Sequence, residues 1–234
     1  KTAYEIKECD WSSDVCSSDL VVLRPGNALA LEPVGPAVAR LGRCFGALAY
    51  VLDGRHRNVT RRNLAAAFPE MSDAEVRALA KENFKRIGES FACAAKTAGM
   101  DAEAIRRVLE CGGTEKLPPA QDGVRPSVVI AVGHFGNFEL YARTNLFVPG
   151  YQMATTYRGL RQPGLNALMQ SLRAKSGALY FERRKDAAEL KLAMAKPGLM
   201  LGLLADQHAG DRGARLPFFG RDCSTRLAAP VLAL

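Results

Sequence analysis

The chain has 234 residues, of which 48% are hydrophobic and 24% are charged. This composition excludes an intrinsically disordered protein, because it supplies enough apolar side chains for one large domain or two small ones. Lys and Arg number 32 against 24 Asp and Glu, giving a formal net charge of +8. An anionic partner such as nucleic acid, anionic lipid or an acidic protein is therefore favoured, without a choice among the three.

The six cysteines are scattered and form no C-x-x-C pair. We therefore expect neither a zinc site nor a disulfide framework, and a reducing compartment is the simpler interpretation. No stretch approaches the roughly 18 to 20 apolar residues that a membrane-spanning helix needs.

Residues 1–20 differ in character from the rest of the chain. They lack helical or strand periodicity, contain a Ser-Ser-Asp near-repeat, and resemble translated sequencing-adapter readthrough. We expect them to be a non-native leader. At the other end, the chain stops inside the apolar run of residues 229–234, which suggests a core truncated at its carboxyl end.

Residues 21–125 are predicted to form a helical, membrane-associated N-terminal region. A helix from Val34 to Leu52 carries Arg40 and Arg43 on one face and apolar residues on the other. This pattern is typical of a helix lying on an anionic bilayer, although an ordinary packed amphipathic helix shows it too.

Three further helices are predicted in this region. A basic helix from Arg55 to Phe68 is stopped by Pro69. The capping box Ser72-Asp-Ala-Glu75 begins a long helix that ends near Gly99, and Asp101 caps a shorter helix that reaches Glu110. Residues 111–126 are predicted to be a linker, since Gly and Pro are frequent there.

The pattern changes in residues 126–234, where short apolar runs alternate with helical ones. The predicted strands are Val128 to Val132, Gln152 to Tyr157, Ala178 to Phe181 and Leu199 to Leu204, and the predicted helices are Gly136 to Leu146, Pro163 to Lys175 and Asp186 to Ala195. This alternation predicts an α/β fold, with a mostly parallel sheet flanked by helices and preceded by the helical N-terminal region.

His134 follows Gly133, which ends the first predicted strand, and Glu139 falls in the first turn of the next helix. Ligands of open α/β sheets bind at the carboxyl ends of the strands. Histidine suits proton transfer near neutral pH, and a carboxylate on its second nitrogen would fix the tautomer. His134 and Glu139 could form such a pair, with a purely structural histidine as the alternative.

Other chemistries find less support. The sequence Gly88-Glu-Ser90-Phe-Ala92 imitates a serine nucleophile elbow, but it lies in a helical run with no strand before it. Metalloprotease, dinucleotide and P-loop motifs are absent, so no metal or nucleotide site is expected. The arginines of the basic helix could grip phosphates, although aromatic residues for base stacking amount to only 7%.

Several short blocks occur together in one order: HFGNFE (134–139), TTYRG (155–159), LRAKSG (172–177), LLADQ (203–207) and LPFFGRD (216–222), with RRNLAAAFPE (61–70) upstream. This series resembles the lipid A biosynthesis acyltransferases, the lauroyl and myristoyl transferase branch of the lysophospholipid acyltransferase superfamily. Five ordered blocks are far more specific than a histidine and a glutamate five residues apart.

The resemblance implies an acyltransferase that moves a fatty acyl group from an acyl carrier protein thioester to a hydroxyl of a lipid A precursor or related anionic glycolipid. It implies work at the cytoplasmic face of the bacterial inner membrane, with the membrane surface as a partner and no cofactor, metal or nucleic acid. A nucleic-acid-binding protein and an ester hydrolase remain the alternatives.

The same resemblance implies the site residues. His134 would be the general base and Glu139 its support, and backbone N–H groups near Gly136 and Asn137 could stabilise an oxyanion. Arg158 and Arg173 are candidate phosphate or carboxylate ligands. The substrate-binding candidates are Phe135, Gly136, Asn137, Thr156, Tyr157, Arg158, Arg173, Ala205, Asp206 and Gln207. Phe218 and Phe219 are expected to line an acyl channel or to pack.

Overall fold

The computed structural model describes residues 23–25 and 36–233. The expectation for residues 1–20 lies outside these ranges. Within them, an N-terminal group of helices precedes a small parallel sheet, so the predicted α/β class is confirmed.

Four helices form the N-terminal part, and their order follows the prediction. They are α1 (Pro36–Leu52), α2 (Gly54–Ala67), α3 (Asp73–Ala98) and α4 (Ala102–Val108). The predicted capping box is confirmed, because Ser72 and Glu75 each accept a hydrogen bond from the other's backbone N–H.

Helix α4 stops earlier than the sequence predicted. Its capping by Asp101 is confirmed, but Leu109–Cys111 form strand β2 instead of a last helical turn. They pair antiparallel with strand β1 (Leu23–Pro25), which satisfies backbone groups that a longer helix would have used.

Helices α1 and α3 pack closely because glycines meet at their crossing. A Cβ added to Gly88 of α3 would collide with the carbonyl oxygen of Gly42 and lie 2.8 Å from the backbone nitrogen of Gly46. Small residues four apart let helix backbones approach in this way. Arg43 then reaches across to Glu82 and Glu89, with N–O distances of 2.8 and 3.1 Å.

The second part contains four parallel strands in the order β3-β6-β4-β5. They are β3 (Val128–Val132), β4 (Gln152–Tyr157), β5 (Leu179–Glu182) and β6 (Leu199–Leu204), joined by helices α5 (Pro163–Ala174) and α6 (Ala187–Met194). Residues 199–203 of β6 are buried, as expected for an inner strand covered on both faces. The sequence therefore predicted all four strands, three with the observed bounds.

The helix predicted from Gly136 to Leu146 is a 3₁₀ helix spanning Phe138–Leu146. Gly136 has a φ of 56°, in the left-handed region, so the chain turns sharply before this helix begins. The helix then places Tyr141 against Gly202 of β6, where a Cβ would collide with the tyrosine ring.

Two strands and a helix after β6 were not predicted. Strands β7 (Ala214–Phe218) and β8 (Arg221–Thr225) form an antiparallel hairpin, and α7 (Ala228–Ala233) follows it. The hairpin turn consists of Phe219 and Gly220, and both have positive φ.

The glycine contact between α1 and α3 can be tested with Gly88→Ala. We expect it to lower the free energy of unfolding by about 1–3 kcal/mol, the usual cost of overpacking, because the new methyl meets backbone atoms that cannot rotate away. Urea unfolding of both proteins measures the difference. Gly164→Ala in α5 is the control, because its Cβ meets nothing within 4 Å, and it should be neutral or stabilising. Equal effects of the two substitutions would contradict close packing at Gly88.

Candidate active site

The site lies at the carboxyl edge of the parallel sheet, where β3 and β6 are neighbours. Val132 and Leu204 are register partners, so the chain leaves both strands at the same level. His134 and Asp206 each stand two residues beyond this pair. The register therefore brings their side chains together although 72 residues separate them.

Asp206 holds His134 through two hydrogen bonds. Its Oδ1 lies 2.7 Å from Nδ1 of the imidazole, and its Oδ2 accepts the backbone N–H of His134 at 2.7 Å. An ionised carboxylate can only accept, so Nδ1 carries the proton in this contact and Nε2 keeps its lone pair. Phe138 packs edge-on to the imidazole with ring centroids 5.0 Å apart. Ring position and tautomer are thus both fixed.

The charge state of Asp206 follows from these contacts. Partial burial acts to raise its pKa, but the hydrogen bonds donated by the His134 ring and backbone act in the opposite direction and prevail. The pKa of Asp206 is therefore below its ordinary value, and the carboxylate is ionised at neutral pH.

The prediction that Glu139 contacts the imidazole is wrong. Glu139 instead accepts two hydrogen bonds from Arg173, at 2.7 Å from Nη2 and 3.4 Å from Nε. Sequence spacing suggested a regular helix after His134, whereas the turn at Gly136 and the 3₁₀ helix separate Glu139 from the ring. A guanidinium offers a carboxylate two donors, so Arg173 satisfies Glu139 at this position.

Arg173 also lies over two aromatic rings. Its guanidinium carbon lies 5.6 Å from the Tyr157 ring centroid and 5.4 Å from that of Tyr180. Burial raises the pKa of Tyr180, which remains a neutral phenol. The contacts with the two rings and with Glu139 together fix the guanidinium at one place in the site.

A cavity of about 660 Å³ opens at this edge of the sheet. Seven of the predicted site residues line it, namely His134, Glu139, Thr156, Tyr157, Arg158, Arg173 and Gln207. The wall is completed by apolar side chains such as Leu160, Met169 and Leu190. A cavity with apolar walls and a few convergent polar groups is typical of a small-molecule or lipid site.

The other predicted substrate-binding residues do not line this cavity. Phe135 is 92% exposed, and Gly136 belongs to the turn. Asn137 donates its side-chain N–H to Thr97 of α3 at 2.9 Å, which ties the loop to the helical part. Asp206 is hydrogen-bonded to His134, and Ala205 extends the sheet by donating its N–H to the Val132 carbonyl oxygen.

Two cavity arginines were missed by sequence reasoning. Arg183 directly follows β5, and its position at the carboxyl edge could have been found with the same rule that located His134. Arg226 follows the hairpin, which the sequence did not predict, so no sequence signal placed it there.

The described residues contain neither the strand-to-helix turn of a serine nucleophile elbow nor a group of metal ligands. Ser90 lies inside α3 and donates its hydroxyl to the Arg86 carbonyl oxygen, so the exclusion of a nucleophile elbow is confirmed. Within residues 23–25 and 36–233, no three His, Cys, Asp or Glu side chains are grouped so that they could hold a metal ion.

The depressed pKa of Asp206 predicts a pH effect on stability. A group whose pKa is lower in the folded state stabilises above its unfolded pKa, about 3.9, and that contribution is lost as pH falls through the folded pKa. The melting temperature of the wild type should therefore fall more steeply below about pH 4 than that of Asp206→Asn. Asp222→Asn, which removes an exposed carboxylate in β8, is the control. Parallel melting curves for wild type and Asp206→Asn would contradict the assignment.

Comparison with known proteins gives consistent results. The family described as bacterial lipid A biosynthesis acyltransferase matches residues 20–234. The chain is 26% identical over 181 residues to the lipid A biosynthesis lauroyltransferase of Escherichia coli K12, covering 76% of this chain and 57% of that protein. It is 27% identical over 188 residues to the palmitoleoyltransferase of the same organism, covering 79% of this chain and 59% of the relative.

A lipid A biosynthesis acyltransferase of Shigella flexneri matches over the same 79% and 59%. The chain thus spans less than two thirds of the length of these relatives. The family match covers nearly all of the sequence, including the loop of His134 and the strand end of Asp206. This chain belongs to the bacterial lipid A biosynthesis acyltransferase family.

Proposed function

We propose that the protein transfers a fatty acyl group from an acyl carrier protein thioester to a hydroxyl of a lipid A precursor or related anionic glycolipid. The observation that carries this proposal is the His134–Asp206 pair at the edge of a cavity that has apolar and cationic walls. The relatives' names, which include a lauroyltransferase and a palmitoleoyltransferase, support a fatty acyl group as the transferred unit.

His134 is the general base of the proposed reaction. An alcohol is a poor nucleophile, so Nε2 removes the hydroxyl proton while the oxygen attacks the thioester carbonyl carbon. Collapse of the tetrahedral intermediate forms the ester, breaks the carbon–sulfur bond and returns the proton to the departing thiolate. Asp206 stabilises the imidazolium between these steps, as the aspartate of a catalytic triad does. This route requires no covalent enzyme intermediate, metal or cofactor.

Backbone N–H groups at the turn are proposed to stabilise the developing oxyanion. Asn137 is the N-cap of the 3₁₀ helix, and Gly136 precedes it with φ of 56°. Neither N–H donates to another backbone carbonyl among the described residues. Free donors next to the base are what an oxyanion intermediate needs.

Three cavity arginines are proposed to bind the anionic groups of the substrates. Arg158, Arg183 and Arg226 all line the cavity, and none forms a salt bridge with a described residue. Arg173 is different, because Glu139 neutralises it. We therefore assign phosphate binding to the first three and a positioning role to the Glu139–Arg173 pair.

Helix α1 supports a membrane surface as a partner. Its exposed apolar side chains follow helical spacing, at Leu41, Phe45, Leu48 and Leu52. Arg43, which the sequence places on the polar face of this helix, forms salt bridges with Glu82 and Glu89 of α3. Its charge is therefore already neutralised within the fold. In the described part of the chain, no helix combines the length and hydropathy needed to cross a bilayer. We propose that α1 lies on the cytoplasmic face of the bacterial inner membrane.

The basic helix α2 does not lead us to propose nucleic acid binding. Arg57 donates to the carbonyl oxygens of Tyr50 and Val51 at 2.9 and 3.1 Å and lies over the Tyr50 ring. This arginine holds α2 against the end of α1, so the four arginines of α2 are not a single free surface.

His134→Ala should reduce acyl transfer by about 10² to 10⁴, the usual contribution of a positioned base, and should stay folded although it loses the ring hydrogen bond to Asp206. Asp206→Asn should also reduce turnover, because the imidazole loses its fixed tautomer and the support of its cation. The measurement is transfer from acyl carrier protein thioesters to a lipid A precursor in detergent micelles. Ser90→Ala is the control and should be silent, since Ser90 lies in α3.

Wild-type turnover by His134→Ala would exclude His134 as the base. Hydrolysis of the thioester at the same rate with and without the acceptor would instead indicate a hydrolase.

Vesicle binding tests the membrane surface. Phe45→Ser combined with Leu48→Ser should weaken co-sedimentation with phosphatidylglycerol vesicles, because both side chains are more than half exposed on α1. Binding by the wild type should also decrease as salt screens the attraction to the anionic surface. Leu192→Ser on α6, equally exposed, is the matched control and should bind like the wild type. Equal binding by both variants would contradict a role for α1.

A further inference from the structure

Positive charge is concentrated where strands β4 and β5 end. Tyr157 and Glu182 are register partners, and the Arg183 N–H donates to the Tyr157 carbonyl oxygen at 3.1 Å, so the two following loops leave the sheet side by side. Together the loops carry five exposed cations. We call this group the cationic corner, and its members are Arg158, Arg161, Arg183, Arg184 and Lys185.

The acidic residues of these loops do not pair with the cationic corner. Glu182 accepts the backbone N–H groups of Arg184 and Lys185 at 2.9 and 3.1 Å, and Asp186 accepts the backbone N–H of Glu182 at 2.7 Å. None of the five cations forms a salt bridge with a described residue. Like charges gathered in adjacent loops repel one another, and an anionic partner removes that cost.

The backbone under the cationic corner is held in place. Glu182 also accepts the N–H of Gly159 at 3.4 Å, so one carboxylate contacts both loops, and the Leu160 N–H donates to Asn166 of α5 at 3.0 Å. A pre-ordered patch suits a folded partner, because binding then costs little ordering entropy. Attraction to a bilayer needs no such order, and residues 182–186 contain no apolar side chain that would enter one.

The position of the cationic corner indicates what this folded partner carries. Arg158 and Arg183 line the cavity of His134, whereas the other three cations lie outside it. A cavity of about 660 Å³ has room for an acyl chain but not for a protein. A carrier that delivers an acyl chain to His134 must therefore stay outside, beside the cavity, and the three outer cations lie there.

We propose that Arg161, Arg184 and Lys185 dock an acidic face of the acyl carrier protein, while Arg158 and Arg183 stay with the anionic groups of the substrates. The inference rests on the proposed function, because the carrier as acyl donor is part of it. Charge complementarity of this kind speeds association and sets orientation without changing the chemical step.

Arg184→Glu combined with Lys185→Glu tests the docking. The KM for an acyl carrier protein thioester should rise about tenfold with little change in kcat, because encounter slows while the groups around His134 are untouched. Adding Arg161→Glu should raise the KM further. Transfer of the same acyl group from a pantetheine thioester, which lacks the carrier protein, should be unchanged.

Arg77→Glu combined with Lys81→Glu is the matched control. Both residues are exposed on α3, and the pair undergoes the same change of charge and residue type. The control should keep the wild-type KM for the carrier thioester.

Binding of acyl carrier protein that bears no acyl chain gives a second readout. Fluorescence anisotropy of labelled carrier should show wild-type binding that weakens as salt rises, because exposed charge attraction is screened. Arg184→Glu combined with Lys185→Glu should bind more weakly and depend less on salt. This measurement requires no turnover, so it tests the surface even if the pantetheine thioester is a poor substrate.

Wild-type KM and wild-type carrier binding by Arg184→Glu/Lys185→Glu would overturn the proposal. So would an equal rise in KM in the control, which would show an effect of net charge alone, or an equal loss with the pantetheine thioester, which would place the loop in the reaction site. Weaker co-sedimentation with phosphatidylglycerol vesicles at unchanged carrier binding would assign the cationic corner to the membrane instead. Absence of transfer by the wild type from any acyl carrier protein thioester would overturn the proposed function itself.

Discussion

The candidate site depends on the parallel pairing of β3 with β6. That pairing aligns Val132 with Leu204, and a hydrogen bond from the Ala205 N–H to the Val132 carbonyl oxygen continues it past the end of β6. His134 and Asp206 meet there because each is the same distance past its strand. A shift of one residue in this register would point one of the two side chains to the other face of the sheet and separate the pair. Hydrogen bonds from Asp206 to both the ring and the backbone of His134 lock the same alignment from the loop side.

The helical part contributes to the site through two successive contacts, the glycine packing of α1 on α3 and a hydrogen bond between α3 and the loop after His134. Gly42, Gly46 and Gly88 let α1 and α3 approach closely, which settles where α3 lies. Thr97 near the end of α3 then accepts a hydrogen bond from Asn137, in the loop that follows His134. The loop of His134 is therefore held on one side by the sheet and on the other by α3, which packs on α1 through glycines.

The helices and strands could be predicted from the sequence more accurately than the side-chain contacts of the site. Strands such as Val128–Val132 and the capping box at Ser72 are local patterns, so they could be predicted. The strand order could not, because residues 199–204 insert between two strands that come earlier in the chain. Asp206 was accordingly counted among the substrate-binding residues, and Glu139, near His134 in sequence, was assigned to the imidazole. Spacing along a chain indicates proximity only when the connecting backbone is regular, and Gly136 makes it irregular here.

Electrostatics explains why Asp206 pairs with His134 whereas Glu139 pairs with Arg173. The Arg173 side chain is only 19% exposed, so leaving its charge unpaired would carry a desolvation cost. Among the described residues, Glu139 is the carboxylate that offsets this cost. If Glu139 turned to the imidazole, two carboxylates would also compete for one ring. With Asp206 on His134 and Glu139 on Arg173, each of the two carboxylates has one partner. The cavity arginines that form no salt bridge with a described residue are then Arg158, Arg183 and Arg226, so the proposed anionic ligand could pair with them while Asp206 stays on His134.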